Sequence, residues 1–386
     1  MMFQVIGLLD HSDLLAKVWL CYQKYSSIPT YTQRKQMIKT TQAAILETCG
    51  SPLIIREILL PDLLPGQVLV KVFFSGVCRS QLMEVRGKRG VDPWLPHLLG
   101  HEGSGEVLAV GEGVKKIKKG DEVILGWVKG QGMDAPGAKY LYNGRVINSG
   151  KVTTFSNHTV VSENRLVKKP VGLARDEAIL FGCALPTGSG MVLNEVKPVD
   201  GSTVVILGLG GIGLSALMSL RAFNCRKVIA IDVSDEKLAL AVDLGATHII
   251  NSERDDVNGL VLNITNGGAD HCIESAGTVA TIELGFSLIR KGGGKLLFAS
   301  HPPEVDKIAI SPFELICGKQ IAGSWGGASV PDRDIPRLYE VIQATKTPIK
   351  RLINKTYSLE KINDALDDLE AGCVFRPLIK MQHDPL

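Results

Sequence analysis

The hydrophobic rhythm of the chain changes near Gly188. From Thr41 to about Lys169, short β-rich runs alternate with turn residues. Gln67-Val68-Leu69-Val70-Lys71-Val72, Gly105-Glu106-Val107-Leu108-Ala109-Val110 and Asp121-Glu122-Val123-Ile124 read as strands, as does 43–47. Pro65-Gly66, Gly111-Glu112-Gly113 and Lys119-Gly120-Asp121 punctuate them. Many short strands at such close spacing predict a compact, barrel-like β unit.

After Gly188 the runs become longer and less alternating. Thr203-Val204-Val205-Ile206-Leu207 is unbroken and apolar, as a strand covered on both faces should be. A helix is expected over 214–223, a strand over 227–231, a helix over 235–244 and a strand over 248–250. Further strands are expected at 271–274, 295–298 and 320–322. Strands alternating with helices predict an α/β, doubly wound parallel sheet. From about Asp332 the pattern returns to helix. It closes on the strand-like Pro377-Leu378-Ile379-Lys380, expected to rejoin the first unit. The chain therefore divides into an extension of 1–36, a β-rich unit of 37–187 with 332–386, and a doubly wound unit of 188–331. The extension fits badly with the rest of the chain, and Met37 opens a natural start. Its two readings are an unused upstream start and an extra helix over 14–25. On the first, deleting 1–36 leaves activity and melting temperature unchanged.

Charge and cysteine usage narrow the class. Lys and Arg number 43 against 40 Asp and Glu, so neither nucleic acid nor an anionic membrane is expected as a partner. No apolar run reaches the length of a membrane span. The N-terminus lacks a basic leader region, and Asp10 and Asp13 interrupt its apolar stretch, so a cytoplasmic location is expected. The eight cysteines are dispersed with no C-x-x-C pair, which argues for a reducing compartment and against a disulfide framework.

Gly208-Leu209-Gly210-Gly211-Ile212-Gly213 follows the buried strand and precedes a helix, the context that makes a glycine fingerprint informative. Gly208 would make the tight turn, Gly210 would let backbone approach a pyrophosphate, and Gly213 would allow close helix–strand packing. Asp232, at the end of the next strand, stands where a carboxylate accepts hydrogen bonds from a ribose and repels a 2′-phosphate, which favours NAD over NADP. Its alternative role is a helix cap, although Ser234 is better placed for that. Three metal-grade side chains precede this region: Cys78, His101 and Cys183, lying 23 and 82 positions apart in turn. Such separations are too wide for a finger or ribbon, and spacing alone proves little.

Taken together, the motifs resemble the zinc-dependent alcohol dehydrogenases of the medium-chain dehydrogenase/reductase superfamily. The likeness runs from about Thr41 to Met381. It rests on Gly76-Val77-Cys78-Arg79-Ser80, Gly100-His101-Glu102, Val152-Thr153-Thr154-Phe155-Ser156, Gly182-Cys183 with Thr187-Gly188, the fingerprint through Asp232, Glu360-Lys361-Ile362-Asn363 and Arg376. The resemblance implies a GroES-like β-rich catalytic domain beside a Rossmann NAD-binding domain. It implies that Cys78, His101 and Cys183 hold one catalytic zinc, leaving a position open for chemistry. Glu102 would sit behind the metal or serve as a transient fourth ligand. Arg79, helped by Arg376, would pair with the pyrophosphate, while Gly208, Gly210, Gly211, Ile212 and Gly213 would form its cradle. Lys237 would join Asp232 at the ribose. Thr187 would lie near the nicotinamide, and Ser80 would bind the substrate oxygen and carry its proton away.

The sequence also departs from the family. Between Glu102 and Gly182 there is no cysteine, so the four-cysteine structural zinc of many relatives is not expected, and 129–151 reads as a loop. Gln81 stands where relatives often carry an acid that orients the metal-bound His, and its amide oxygen would accept that hydrogen bond without the charge. Met83 stands where some relatives carry a relay His, so proton exit is expected through Ser80, ribose and water. Trp94, Trp127 and Trp325 read equally as pocket walls or core, and His301 as a surface residue or a polar substrate contact. The expected substrate is a small-molecule alcohol or its carbonyl, a primary alcohol or aldehyde first, with polyols, sugar derivatives and S-hydroxymethyl thiol adducts as further classes. A homodimer or homotetramer is expected. A noncatalytic zinc- and NAD(H)-binding redox sensor or structural partner is the competing class, favoured only by Gln81 and Met83.

Overall fold

Ten-residue strand β3 (Gln67–Gly76) organises the β-rich unit. Its first half pairs antiparallel with β9 (His158–Ser162) and its second half with β18 (Pro377–Lys380), while β5 (Gly103–Val110) runs along the other edge. Register shifts at Leu69/Val70 and Val72/Phe74 mark bulges that bend the strand. β6 (Glu122–Leu125), β10 (Leu166–Lys168) and β17 (Lys355–Ser358) complete the sheet in the order β10-β6-β5-β3-β18-β17. The tail therefore returns to the first unit, as its apolar run implied. The structure, a computed structural model, describes residues 38–299, 302–303 and 305–383. The readings for 1–36 and His301 lie outside the described residues.

A second sheet closes into a barrel in the order β1-β2-β7-β8-β4. It comprises β1 (Thr40–Leu46), β2 (Ile54–Leu59), β4 (His97–Leu98), β7 (Lys139–Tyr142) and β8 (Arg145–Asn148). This corrects the reading of 129–151 as a loop. Asn143 and Gly144, at φ 48° and 78°, form a two-residue hairpin turn, and the hairpin they close completes the barrel. Each of its strands buries one large residue, Tyr140 and Ile147, so alternation is faint.

The remaining sheet is six-stranded, all parallel, in the order β13-β12-β11-β14-β15-β16. It contains β11 (Thr203–Leu207), β12 (Lys227–Asp232), β13 (His248–Asn251), β14 (His271–Glu274), β15 (Lys295–Phe298) and β16 (Gln320–Gly323). The order turns outward on both sides of β11 and β14, which makes their carboxyl ends the switch point where ligands bind in such sheets. Eight helices bear on the site and its supports. They are α1 (Arg79–Val85), α2 (Ala184–Gly190), α3 (Gly211–Leu220), α4 (Asp235–Asp243), α5 (Val257–Thr265), α6 (Val279–Leu288), α7 (Pro331–Thr345) and α8 (Ile362–Glu370). α3 spans Gly211–Leu220 instead of 214–223, because Gly210 itself occupies the cap position. Ile335, Leu338 and Ile342 of α7 share one apolar cluster with Ile206, Leu214 and Ala230. Among the described residues no single helix is long and apolar enough to cross a membrane.

Candidate metal and dinucleotide site

Three local structures deliver the metal-grade side chains. Cys78 follows β3 and caps α1, with Val77 N–H anchored on Pro377 O at 3.0 Å. His101 follows Gly100, whose φ of 89° and whose virtual Cβ, 2.3 Å from Thr154 Oγ1, admit only glycine. Cys183 precedes α2 after Gly182, where a Cβ would stand 2.4 Å from Leu125 O and 2.8 Å from Glu102 Cα. One ligand atom from each of Cys78, His101 and Cys183 lies within 4.8 Å of the others.

Their electrostatics favour holding a cation. The Cys78 thiol is held well below its ordinary range, first by a hydrogen bond from Cys183, then, against burial, by Arg376 and His101. Cys183 is pushed up, because it shares that proton with Cys78 and is itself buried. His101 Nε2 is buried with no hydrogen-bond partner, a lone donor position inside the cluster. Gln81 corrects its expected orientation. Its amide oxygen accepts from Cys78 N–H at 3.2 Å, which turns the amide nitrogen toward His101 Nδ1.

Behind the cluster, Arg376 donates to Glu102 at 2.7 Å with both side chains almost wholly buried. Burial pushes the Glu102 carboxyl up against the opposing pull of Arg376. Burial would weaken the guanidinium, yet Glu102, Cys78 and Cys183 together raise it and keep it charged. Arg376 also reaches the fingerprint: its terminal nitrogen lies 2.1 Å from where a Cβ on Gly211 would be. Ser80 Oγ, on the first turn of α1, is buried without a partner. Arg79 beside it is exposed. Thr187 is buried, and its hydroxyl donates to Cys183 O at 2.8 Å.

The fingerprint folds as its glycines require. Gly208 has φ 89°, and a Cβ there would lie 2.7 Å from Ala276 N. A Cβ on Gly213 would lie 1.9 Å from Gly208 O, and one on Gly188 would lie 2.1 Å from Ile212 O. Gly210 meets nothing within 4 Å. Asp232 is buried at the end of β12 and accepts from Leu209 N–H at 2.7 Å and Ser234 N–H at 3.0 Å, with Lys237 Nζ 3.7 Å away. Ser234, not Asp232, caps α4.

The tryptophans separate. Trp94 is 66 % exposed, which excludes core packing. Trp127 and Trp325 meet edge to face at 5.1 Å, and the Trp127 backbone N–H donates to Gly182 O at 3.3 Å, next to Cys183. Sequence reading gave no role to Ser75 and Thr154, whose hydroxyls lie 3.1 and 3.2 Å from Glu102 O and 2.7 Å from each other, nor to Ser275, which donates to Gly208 O at 2.7 Å. Ser275 was reachable in principle, since it follows β14 at the carboxyl edge of the parallel sheet.

Residues 64–171 match the family model of the alcohol dehydrogenase GroES-like domain, and residues 211–344 match that of the zinc-binding dehydrogenases. The two matches, a GroES-like domain followed by a Rossmann-type domain, place the chain among the zinc-binding dehydrogenases. More particularly, the chain belongs to the zinc-dependent alcohol dehydrogenase family of the medium-chain dehydrogenase/reductase superfamily. Its fold is similar to that of an alcohol dehydrogenase zinc-binding domain protein from Burkholderia ambifaria, at 29% identity and TM-score 0.83, covering 89% of this chain and 100% of that one. It is also similar to benzyl alcohol dehydrogenase from Acinetobacter calcoaceticus, at 28% identity and TM-score 0.81 over 89% and 100% of the two chains. The 2R,3R-butanediol dehydrogenase from Bacillus subtilis shares the fold at 24% identity and TM-score 0.70, over 88% and 99% of the two chains.

Proposed function

We propose that this chain is an NAD-dependent dehydrogenase that interconverts an alcohol and its carbonyl, with one catalytic zinc held by Cys78, His101 and Cys183. The observation that carries this is the convergence of two thiols and a partnerless, buried imidazole nitrogen, one of the donor sets that zinc accepts in catalytic sites. When bound, zinc supplies Lewis acidity toward the substrate oxygen, and the nicotinamide supplies the hydride acceptor or donor. From behind, Arg376 would favour the Cys78 thiolate, and it opposes the burial that pushes the Glu102 carboxyl up. Gln81, anchored by the Cys78 N–H on its amide oxygen, would hold the His101 ring from its Nδ1 side and leave Nε2 toward the metal. Ser80 Oγ, buried without a protein partner, would accept the proton of the substrate hydroxyl while handing its own on to the cofactor ribose and water.

Asp232 supports NAD, since its carboxylate would face a 2′-phosphate and sits in a loop that its own hydrogen bonds hold closed. The Trp127–Trp325 pair beside Cys183 supports a flat, apolar primary alcohol. We extend the reading to a cytoplasmic homodimer or homotetramer; β16, the outer strand of the parallel sheet, supports assembly through sheet extension. The test is NADH formation over primary, secondary, aromatic and polyol alcohols, before and after zinc removal. Chelator-sensitive turnover, greatest on aromatic primary alcohols, is expected. Silence from folded, zinc-loaded protein across the panel refutes the reading.

A further inference from the structure

A second group of metal-grade side chains lies outside the catalytic cluster. Glu84 sits in the last turn of α1, His97 opens β4, and Asp92 lies between them in sequence. One ligand atom of each is within 4.8 Å of the others. His97 is 7 % exposed, and its Nδ1 lies 3.0 Å from Leu98 O. A carbonyl only accepts, so Nδ1 carries a proton and Nε2 is the face that remains. That nitrogen looks at two carboxylates, Asp92 Oδ2 at 2.8 Å and Glu84 Oε1 at 3.8 Å. Something positive belongs between them: a second ring proton or a cation.

The surroundings favour the cation. A ring N–H given to a backbone carbonyl is how metal-binding histidines are oriented, leaving the other nitrogen for the ion. Asp92 Oδ2 hydrogen-bonds Nε2 directly at 2.8 Å, and donors about 2.1 Å from a tetrahedral ion stand roughly 3.4 Å apart, so an ion enters only as that pair opens and Glu84 closes in from 3.8 Å. The outer carboxylate oxygens are already held, Asp92 Oδ1 by Trp94 N–H at 2.9 Å and Glu84 Oε2 by Arg89 at 3.4 Å, so the inner oxygens are steered toward His97. Cys49 is close enough that its thiol is pushed up, first by burial and then by Asp92 and Glu84.

We propose that Glu84, Asp92 and His97 form a second divalent-cation site, with zinc as the best fit to one imidazole and two carboxylates. It revises the expectation of a single metal per chain and is independent of the dehydrogenase reading. Bound there, the ion joins α1, which carries Ser80 and Gln81, to β4, which leads through Leu99 and Gly100 to His101.

The test is zinc stoichiometry by atomic emission after equilibrium dialysis of the demetallated full-length chain against zinc chloride. Wild type is expected to bind about two equivalents, and Asp92→Asn and His97→Ala about one. Glu84→Gln, at a half-exposed helix end, gives the same loss if His97→Ala fails to fold. A wild type that holds only one equivalent, lost in Cys78→Ser and kept in Asp92→Asn, overturns the proposal in favour of an imidazolium between two carboxylates. Two equivalents that survive both Asp92→Asn and Glu84→Gln overturn it as well. Failure of the catalytic reading shows separately, as Cys78→Ser retaining every equivalent.

Discussion

Two glycines of the fingerprint, three positions apart, separate what the loop does for the fold from what it does for a nucleotide. A methyl on Gly213 would stand 1.9 Å from Gly208 O, 2.6 Å from Ser275 Oγ and 3.0 Å from Gly208 C. The nearest of these is backbone, which cannot swing aside. Overpacking of this kind costs about 1–3 kcal/mol. At roughly 2–4 °C per kcal/mol for a unit of 150–250 residues, Gly213→Ala should lower the melting temperature by about 2–12 °C. Gly210 has φ −78° and ψ −171°, open to any residue, and its methyl would meet nothing within 4 Å. The gain from a less flexible unfolded chain is about 0.4–1 kcal/mol. Alanine is the poorer helix cap by a similar amount, so the two offset and melting should hold within about 2 °C. If pyrophosphate packs on Gly210, the same methyl costs binding about 1–3 kcal/mol, or about five- to 150-fold in NADH affinity. Thermal melts by circular dichroism and NADH fluorescence titration read the two effects independently. Unchanged NADH affinity in Gly210→Ala would refute the cradle, and unchanged melting in Gly213→Ala would refute the overpacking.

Three further outcomes are expected. Asp232→Ser should raise the NADP-to-NAD ratio of kcat/KM by at least about tenfold, an effect of about 1.4 kcal/mol; an unmoved ratio removes Asp232 from the ribose. Cys78→Ser and His101→Ala should each abolish turnover and release the catalytic zinc equivalent, and full activity in either would show the site to be misassigned. His158 is pushed from its ordinary 6.5 down to about 4, first by burial and then by His383 and Lys71. The native ring therefore resists a proton that the unfolded chain accepts. The stability it contributes is complete above about pH 6.5 and is lost as the pH falls toward about 4. Melting temperature should fall across that window and less so in His158→Gln; parallel curves would contradict the assignment.

How much of the fold could be read depended on how local its cause was. The strand at 203–207 was legible to the residue because all five side chains are buried, and so were 271–274 and 295–298. The hairpin of β7 and β8 was not, although Asn143-Gly144 announces a tight turn. With one large buried residue per strand, its period-two signal falls below that of its neighbours. Helices α5 and α6 escaped for a related reason. Both pack against the sheet; α5 carries Val257, Leu260, Val261 and Ile264 at helical spacing, but Gly259 and its β-branched residues lower its intrinsic helix preference. Tertiary packing decides such segments, and propensity does not.

The site divides along the same line. The fingerprint and the Gly-His-Glu and Gly-Cys motifs are short and were readable where they stand. The pairing that ties them together joins residues 274 positions apart and leaves no local trace. Arg376 donates to Glu102 on the metal side, bonds toward Cys78, and places a terminal nitrogen 2.1 Å from where a Cβ on Gly211 would be. One buried guanidinium thus touches both the metal-grade cluster and the first turn of the fingerprint helix. Removing it would strand the Glu102 carboxylate, and breaking a buried pair costs about 3–5 kcal/mol. Lysine cannot substitute, because one compact ammonium lacks the planar fork that reaches two partners at once. A variant at Arg376 therefore perturbs metal and nucleotide binding together. Only changes on either side of it, such as those at Cys78 and Gly210, can tell the two functions apart.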